Sequence, residues 1–160
     1  MIKIKIIALG KLKEKYLREA SDEYIKRLSG FAKTEIIELE PVRLCENPSE
    51  TETTRALLAE SEAIKKKIGD ASTVIVMCIE GKMCSSEEFH KELDKRINRG
   101  EGNFVFIIGS SYGLHPDIKE LADIKLSFSP MTFPHQLFRV MLLEQVYRSF
   151  KIAEGAKYHK

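Results

Sequence analysis

Hydrophobic and polar positions alternate at the start of the chain, where Ile2, Ile4 and Ile6 are separated by Lys3 and Lys5. That period of two predicts a strand ending near Leu9. After Gly10 the period lengthens: Leu17, Ala20, Tyr24, Ile25 and Leu28 recur at helical spacing, and Gly30 is the stop signal. Thr34–Leu39 reads as a second strand and Glu40–Glu50, with two prolines, as a loop. Thr51–Ile68 reads as a helix with Leu57, Leu58, Ile64 and Ile68 on or near one face. Thr73–Ile79 is apolar and β-branched throughout, which predicts a central strand covered on both faces. Ser85-Ser86-Glu87-Glu88 has the form of a capping box opening a helix through Phe89, Leu93 and Ile97. Asn103–Ile108 is the next apolar strand. A glycine-containing loop, a short helix opened by Pro116, a strand at Ile124–Phe128 and a last helix from about Pro134 to Ala153 complete the chain.

Strands alternating with helices predict an α/β fold with a mainly parallel sheet flanked by helices. With no internal repeat or low-complexity segment, residues 1–160 read as one domain. In the last helix, apolar residues from Leu137 to Phe150 occupy more than one face, where covering a sheet needs one stripe. The surplus predicts a homodimer interface.

Composition narrows the class. Apolar residues at 43% and charged residues at 31% are those of a globular protein. The longest apolar run, Val74–Ile79, is far too short to cross a membrane, and the opening Ile/Lys alternation is unlike a signal peptide. Cys45, Cys78 and Cys84 form neither a disulfide framework nor a zinc spacing, and His90, His115, His135 and His159 are scattered. No metal is expected, and a reducing cytoplasm is. Net charge is only +2, but basic ends enclose an acidic middle. Residues 1–30 carry eight Lys/Arg against four Asp/Glu, 34–62 carry two against eight, and 131–160 carry five against two. Such a distribution is compatible with a phosphate-binding face and equally with a solvated charged surface.

In open parallel sheets, ligands sit where loops leave the carboxyl ends of strands. Three ends stand out: Met77–Gly81, Gly109–Gly113 and Phe128–Phe133. A P-loop, a dinucleotide-binding glycine fingerprint, a nucleophile elbow and a zinc-protease helix motif are all absent, which removes the commonest α/β enzymes. The dense segment Leu126–Gln136 mixes hydroxyls, two prolines, Met and Phe. It suits either an adenine-holding loop or a plain strand-to-helix connection.

The spacing L-S-F-S-x-M-T-F-P-H-Q-x-x-R-V-x-L-x-E-Q-V-Y-R, with K-I-x-x-G-x-x-Y-H-K at the terminus, closely resembles the ribosomal RNA large subunit methyltransferase H family. That family lies within the SPOUT, or trefoil-knot, methyltransferases. The resemblance extends through I-x-A-L-G-K-L-K at the start, the central I-E-G-K, and F-V-F-I-I-G followed by G-L-H. It implies S-adenosylmethionine as cofactor and methylation of N3 of a pseudouridine in helix 69 of bacterial 23S rRNA. It further implies action on the assembled ribosome as a homodimer, and a deep C-terminal trefoil knot within about residues 104–160. Other members of the knotted class methylate other bases or ribose, and a non-catalytic dimeric RNA-binding factor is the alternative outside enzymes.

Position by position, the resemblance implies a cofactor site of Met77, Gly109, Phe128, Ser129, Pro130, Met131, Thr132 and Phe133. Met77 stands where Leu is commoner, Ser110 where many members have a second Gly, and Lys157 where Pro is common. Methyl transfer from a sulfonium is an in-line displacement, so alignment dominates. N3 of pseudouridine also carries a proton that must leave, which asks for a base or a cationic stabiliser. His135, Arg139, Tyr158 and His159 are the candidates. The competing readings are a capping role for His135, ion pairs to Glu144 or a partner subunit for Arg139 and Arg148, and a frayed tail for Tyr158 and His159. His115 is expected in a loop near the cofactor pocket, and His90 facing solvent. Lys11, Lys13, Lys15, Arg18 and Lys160 are the expected RNA-phosphate contacts.

Overall fold

The computed structural model describes residues 1–69 and 73–155. Ten elements follow in order: β1 (Ile2–Leu9), α1 (Lys15–Leu28), β2 (Ala32–Leu39), α2 (Glu50–Ile68), β3 (Thr73–Met83), α3 (Ser86–Ile97), β4 (Asn103–Ile108), α4 (Pro116–Glu120), β5 (Ile124–Ser127) and α5 (His135–Ala153). The strands form one sheet in the order β2-β1-β4-β3-β5, and every pairing is parallel.

The alternation of each strand sends its side chains into two separate cores. On one face Ile4, Ile6, Ala8, Ile75, Met77, Phe104, Phe106, Ile108 and Leu126 pack with Leu28 of α1, Phe89 and Leu93 of α3, and Leu142, Leu143 and Val146 of α5. On the other, Ile7, Leu9, Val74, Val76, Val105 and Ile107 pack with Ile64 of α2 and Ile118 of α4. The apolar runs of β3 and β4 therefore belong to strands covered on both sides, as expected for a parallel sheet.

The expected capping box is present: Ser85 Oγ accepts from the Glu88 amide and Glu88 reaches back to the Ser85 amide. A second one, at Ser49 and Glu52, opens α2 and is missed by the sequence reading. Two other expectations are corrected. The face of α2 that packs inward carries Ala56, Glu60, Ser61 and Ile64, and Leu58 points to solvent. β3 also runs beyond Ile79 to Met83.

That extension has an unusual register. Leu126 of β5 is partnered by Met77 and again by Lys82, with the register jumping across the four intervening residues. Gly81, within the jump, lies so close to β5 that a β-carbon there would stand 2.7 Å from backbone atoms of Lys125 and Leu126. The glycine of I-E-G-K is thus explained by close approach of two backbones.

Candidate functional site

Three strand ends meet at the carboxyl edge of the sheet. Met77 is the register partner of Ile108 on one side and Leu126 on the other, so the loops leaving β4, β3 and β5 emerge side by side. Met77 itself is buried at this junction.

The loop after β4 is a tight turn in which the Gly113 amide donates to the Ser110 carbonyl at 2.9 Å. Gly113 has φ +85°, a conformation that favours glycine. Gly109 is required for space instead: a β-carbon there would stand 2.6 Å from the Gly113 carbonyl oxygen and 2.8 Å from Leu114 Cγ. Ser110 donates from Oγ to Glu60 Oε2 at 3.3 Å, and the Val42 amide donates to Glu60 Oε1 at 3.0 Å. Glu60 is only 5% exposed, and burial pushes its carboxyl above the ordinary value despite those two bonds. Glu60 is a site residue the sequence reading missed. The signal was available, since Glu60 falls four residues from both Ala56 and Ile64 on the inward stripe of α2.

The loop after β5 folds on its own hydroxyls. Ser127 Oγ donates to the Ser129 carbonyl at 3.2 Å, and the Met131 amide donates to Ser129 Oγ at 3.0 Å. Phe128 turns inward onto Phe138 of α5, with ring centroids 4.8 Å apart. Met131 and Phe133 stay exposed, at 74% and 37%. Tyr112 in the neighbouring loop and Ile79 and Met83 on β3 are exposed too. Uncovered apolar side chains around convergent strand ends are the surface an aromatic ligand needs.

A cleft of about 450 Å³ opens beside this loop, lined in part by Phe128, Phe133, Val140, Met141, Glu144 and Cys84. The second apolar face of α5 contributes to it through Val140 and Met141. Burial, helped by nearby Glu88, raises the Cys84 thiol above its usual value, which suits a passive wall residue.

His135 and Arg139 share the start of α5, but the structure gives them different settings. Pro134 occupies the cap position and makes no side-chain cap, so His135 is no capping residue. Burial first, then repulsion from Arg139 and Lys13, lowers the His135 imidazole below its ordinary value and keeps it neutral at pH 7. Arg139 is 3% exposed. One guanidinium nitrogen donates to Glu38 Oε2 at 2.7 Å and another to the Gly10 carbonyl at 2.9 Å. Of the ion pairs weighed for Arg139 and Arg148, the one to Glu144 is made by Arg148, at 2.6 Å. Tyr158, His159 and Lys160 lie outside the described residues, as does Lys157.

The basic loop after β1 is near the start of α5. The Lys13 amide donates to Gln136 Oε1 at 3.0 Å. Lys11 and Lys15 are exposed and face Glu40 and Glu19 across weak surface pairs. Arg18 spends one nitrogen on the carbonyls of Leu12 and Lys13, at 3.1 and 2.6 Å, so it shapes this loop from α1. His115 caps α4 through the Asp117 amide, and His90 is half-buried against Ser149 Oγ at 3.2 Å instead of facing solvent. Among the described residues, no group of three or more His, Cys, Asp or Glu is placed to hold a metal ion. No helix among them is long and apolar enough to cross a membrane.

A five-stranded parallel sheet with its candidate site at adjacent strand ends defines an α/β protein of the ligand-binding type. The family profile described as "Predicted SPOUT methyltransferase" matches residues 2–159, and the chain belongs to that family. Its members take the methyl group from S-adenosylmethionine. Among solved structures, a "probable methylase family protein from Haemophilus influenzae Rd KW20" is similar in fold. It superposes with a TM-score of 0.58 at 14% identity, over 98% of this chain and 70% of that one.

Proposed function

We propose that this chain methylates N3 of a pseudouridine in helix 69 of bacterial 23S rRNA, acting on the assembled ribosome in the cytoplasm as a homodimer. Family membership supports RNA methylation. The finer reading rests on the block from Leu126 to Arg148 and its resemblance to ribosomal RNA large subunit methyltransferase H. The observation that carries the cofactor assignment is the junction at Met77, where the Gly109 turn and the Phe128–Phe133 loop converge.

The residues present suit S-adenosylmethionine. The adenine would lie on backbone and apolar side chains of Met77, Gly109 and Phe128–Phe133, and the sulfonium supplies an electrophilic methyl carbon. Ser129 and Ser127 fix the shape of one wall, and Glu60 holds the other through Ser110. Neutral His135 keeps an acceptor nitrogen for a proton at pH 7. Tyr158, His159 and Lys160, reaching from a second chain, are proposed to complete the base pocket, with Lys11, Lys13 and Lys15 on phosphates. A trefoil knot within about residues 104–160 is part of the same proposal, resting on the resemblance.

The deciding experiment is methyl transfer from labelled S-adenosylmethionine to 70S ribosomes, separate subunits and naked rRNA, with the product nucleoside mapped by mass spectrometry. N3-methylpseudouridine formed best on 70S ribosomes is the expected result. A methylated ribose or another base would place the chain elsewhere in the knotted class. Absence of cofactor binding by calorimetry at near-millimolar S-adenosylmethionine would leave a non-catalytic RNA-binding factor.

A further inference from the structure

The loop between β1 and α1, residues 10–14, carries two of the exposed lysines assigned to RNA, yet its backbone is held from three directions. Glu38 of β2 accepts the Leu12 amide at 3.2 Å, Gln136 of α5 accepts the Lys13 amide at 3.0 Å, and Arg18 of α1 donates to the carbonyls of Leu12 and Lys13. Arg139 joins these anchors. It binds the Gly10 carbonyl directly, and it binds Glu38 through the same Oε2 that holds Leu12.

A buried arginine–carboxylate pair is a poor way to gain stability, because desolvation consumes much of the attraction and apolar substitutes often do as well. The desolvation here is incomplete in its compensation: among the described residues, Nε of Arg139 is buried with no hydrogen-bond partner. What a planar fork does provide is a fixed angle between two acceptors, which a packed apolar side chain cannot impose. Those acceptors are the loop and the strand edge beside it. The fork itself stands five residues into the helix that follows the Phe128–Phe133 loop.

We propose that Arg139 is a positioning residue, latching the lysine-bearing 10–14 loop to the start of α5 so that the RNA-binding loop and the cofactor loop are held in one fixed relation. This rests on the functional reading above for the identity of the two loops, but not for the latch itself. Through this latch, Arg139 controls how productively ribosomes dock and leaves the affinity for S-adenosylmethionine alone.

The test is Arg139→Met in the full-length protein, with Glu38→Gln as a milder second variant. Glu38 keeps 35% of its side chain exposed, so it is not stranded without water when Arg139 is replaced. Three readouts are expected together. Amide exchange at Leu12 and at Lys13 accelerates roughly tenfold or more in Arg139→Met, although Arg139 touches neither amide. The KM for 70S ribosomes rises about tenfold while the calorimetric affinity for S-adenosylmethionine stays within about twofold. The salt dependence of ribosome binding flattens by about 0.7–0.9 in log–log slope for each lysine that no longer reaches a phosphate. Glu38→Gln shows the same pattern at smaller amplitude. Faster exchange at Leu12 with Lys13 unchanged would reduce the arrangement to one local bond and overturn the latch. An unchanged KM and salt slope in a folded Arg139→Met would also overturn it. If wild-type protein neither binds S-adenosylmethionine nor methylates ribosomes, the functional reading fails alone, and the exchange measurement still decides the latch.

Discussion

The carbonyl oxygen of Gly113 occupies the space a side chain on Gly109 would need, 2.6 Å from the position of a β-carbon there. The turn can close only because residue 109 has no side chain, and its closure sets the wall beside Met77. Gly109→Ala should therefore displace the turn while leaving the sheet intact. Binding of S-adenosylmethionine, followed by calorimetry, should weaken at least tenfold, about 1.4 kcal/mol. Thermal stability should fall by no more than about 1–3 kcal/mol, the usual cost of overpacking.

Glu60, which holds this same turn through Ser110, makes the wall sensitive to pH. Burial raises its carboxyl above the unfolded value, so over that interval the native state holds a proton the unfolded chain has released. The associated stability is complete below the unfolded pKa, about 4.3, and is lost as pH rises through the folded value. Glu60→Gln retains an acceptor for the Val42 amide and an NH₂ group for Ser110 Oγ. Its melting temperature relative to wild type should rise between about pH 4 and pH 7, as read by circular dichroism across that range. A difference that does not vary with pH would show that Glu60 does not titrate in this window.

His135 has the reverse sign. Its folded pKa is depressed below 6.5 by burial and by the charges of Arg139 and Lys13. The native state then binds fewer protons than the unfolded chain, and stability present above 6.5 is lost as pH falls through the folded value. In His135→Gln the decline of melting temperature below pH 6.5 should be shallower than in wild type. If His135 also accepts the substrate proton, the same variant lowers kcat by roughly 10²–10⁴-fold, with S-adenosylmethionine affinity retained.

Phe106 provides a measure of the core beneath the sheet's carboxyl edge. It is fully buried at the centre of β4 and lies 6.3 Å, ring to ring, from Phe89 of α3. Phe106→Ala should cost about 3–5 kcal/mol in urea unfolding. A loss below about 1 kcal/mol would mean that α3 collapses onto the vacancy.

The strands and helices were legible because their periods are clean. β1 alternates, β3 and β4 are apolar throughout, and Ser85 announces α3. The α2 face was read only in part: Ile64 does point inward, but the same stripe contains Glu60 and Ser61, polar residues that hydropathy places outside; the Val42 amide and Ser110 hold Glu60, and Ser61 donates to the Leu58 carbonyl. The junction at Met77 was visible only as three separate strand ends, since strand order is not encoded locally. Arg139 was recognised as important from its motif, but its partners were not among those weighed, whereas Arg148 does pair with Glu144. The acceptors of Arg139, Glu38 and Gly10, lie 101 and 129 residues away in sequence. The glycine of I-E-G-K likewise meant little until the backbone of Lys125 and Leu126 was seen against it.

The strand order also dictates a timetable. β1 takes β2 as one neighbour within its first 39 residues, but its other neighbour is β4, which ends at Ile108. At a synthesis rate of about 5–20 residues per second, the nascent chain carries β1 with one bare apolar edge for several seconds. Such an edge is a template for pairing with other chains. Lys3 and Lys5, which alternate with the core isoleucines of that strand, put charge along it during the interval before β4 arrives.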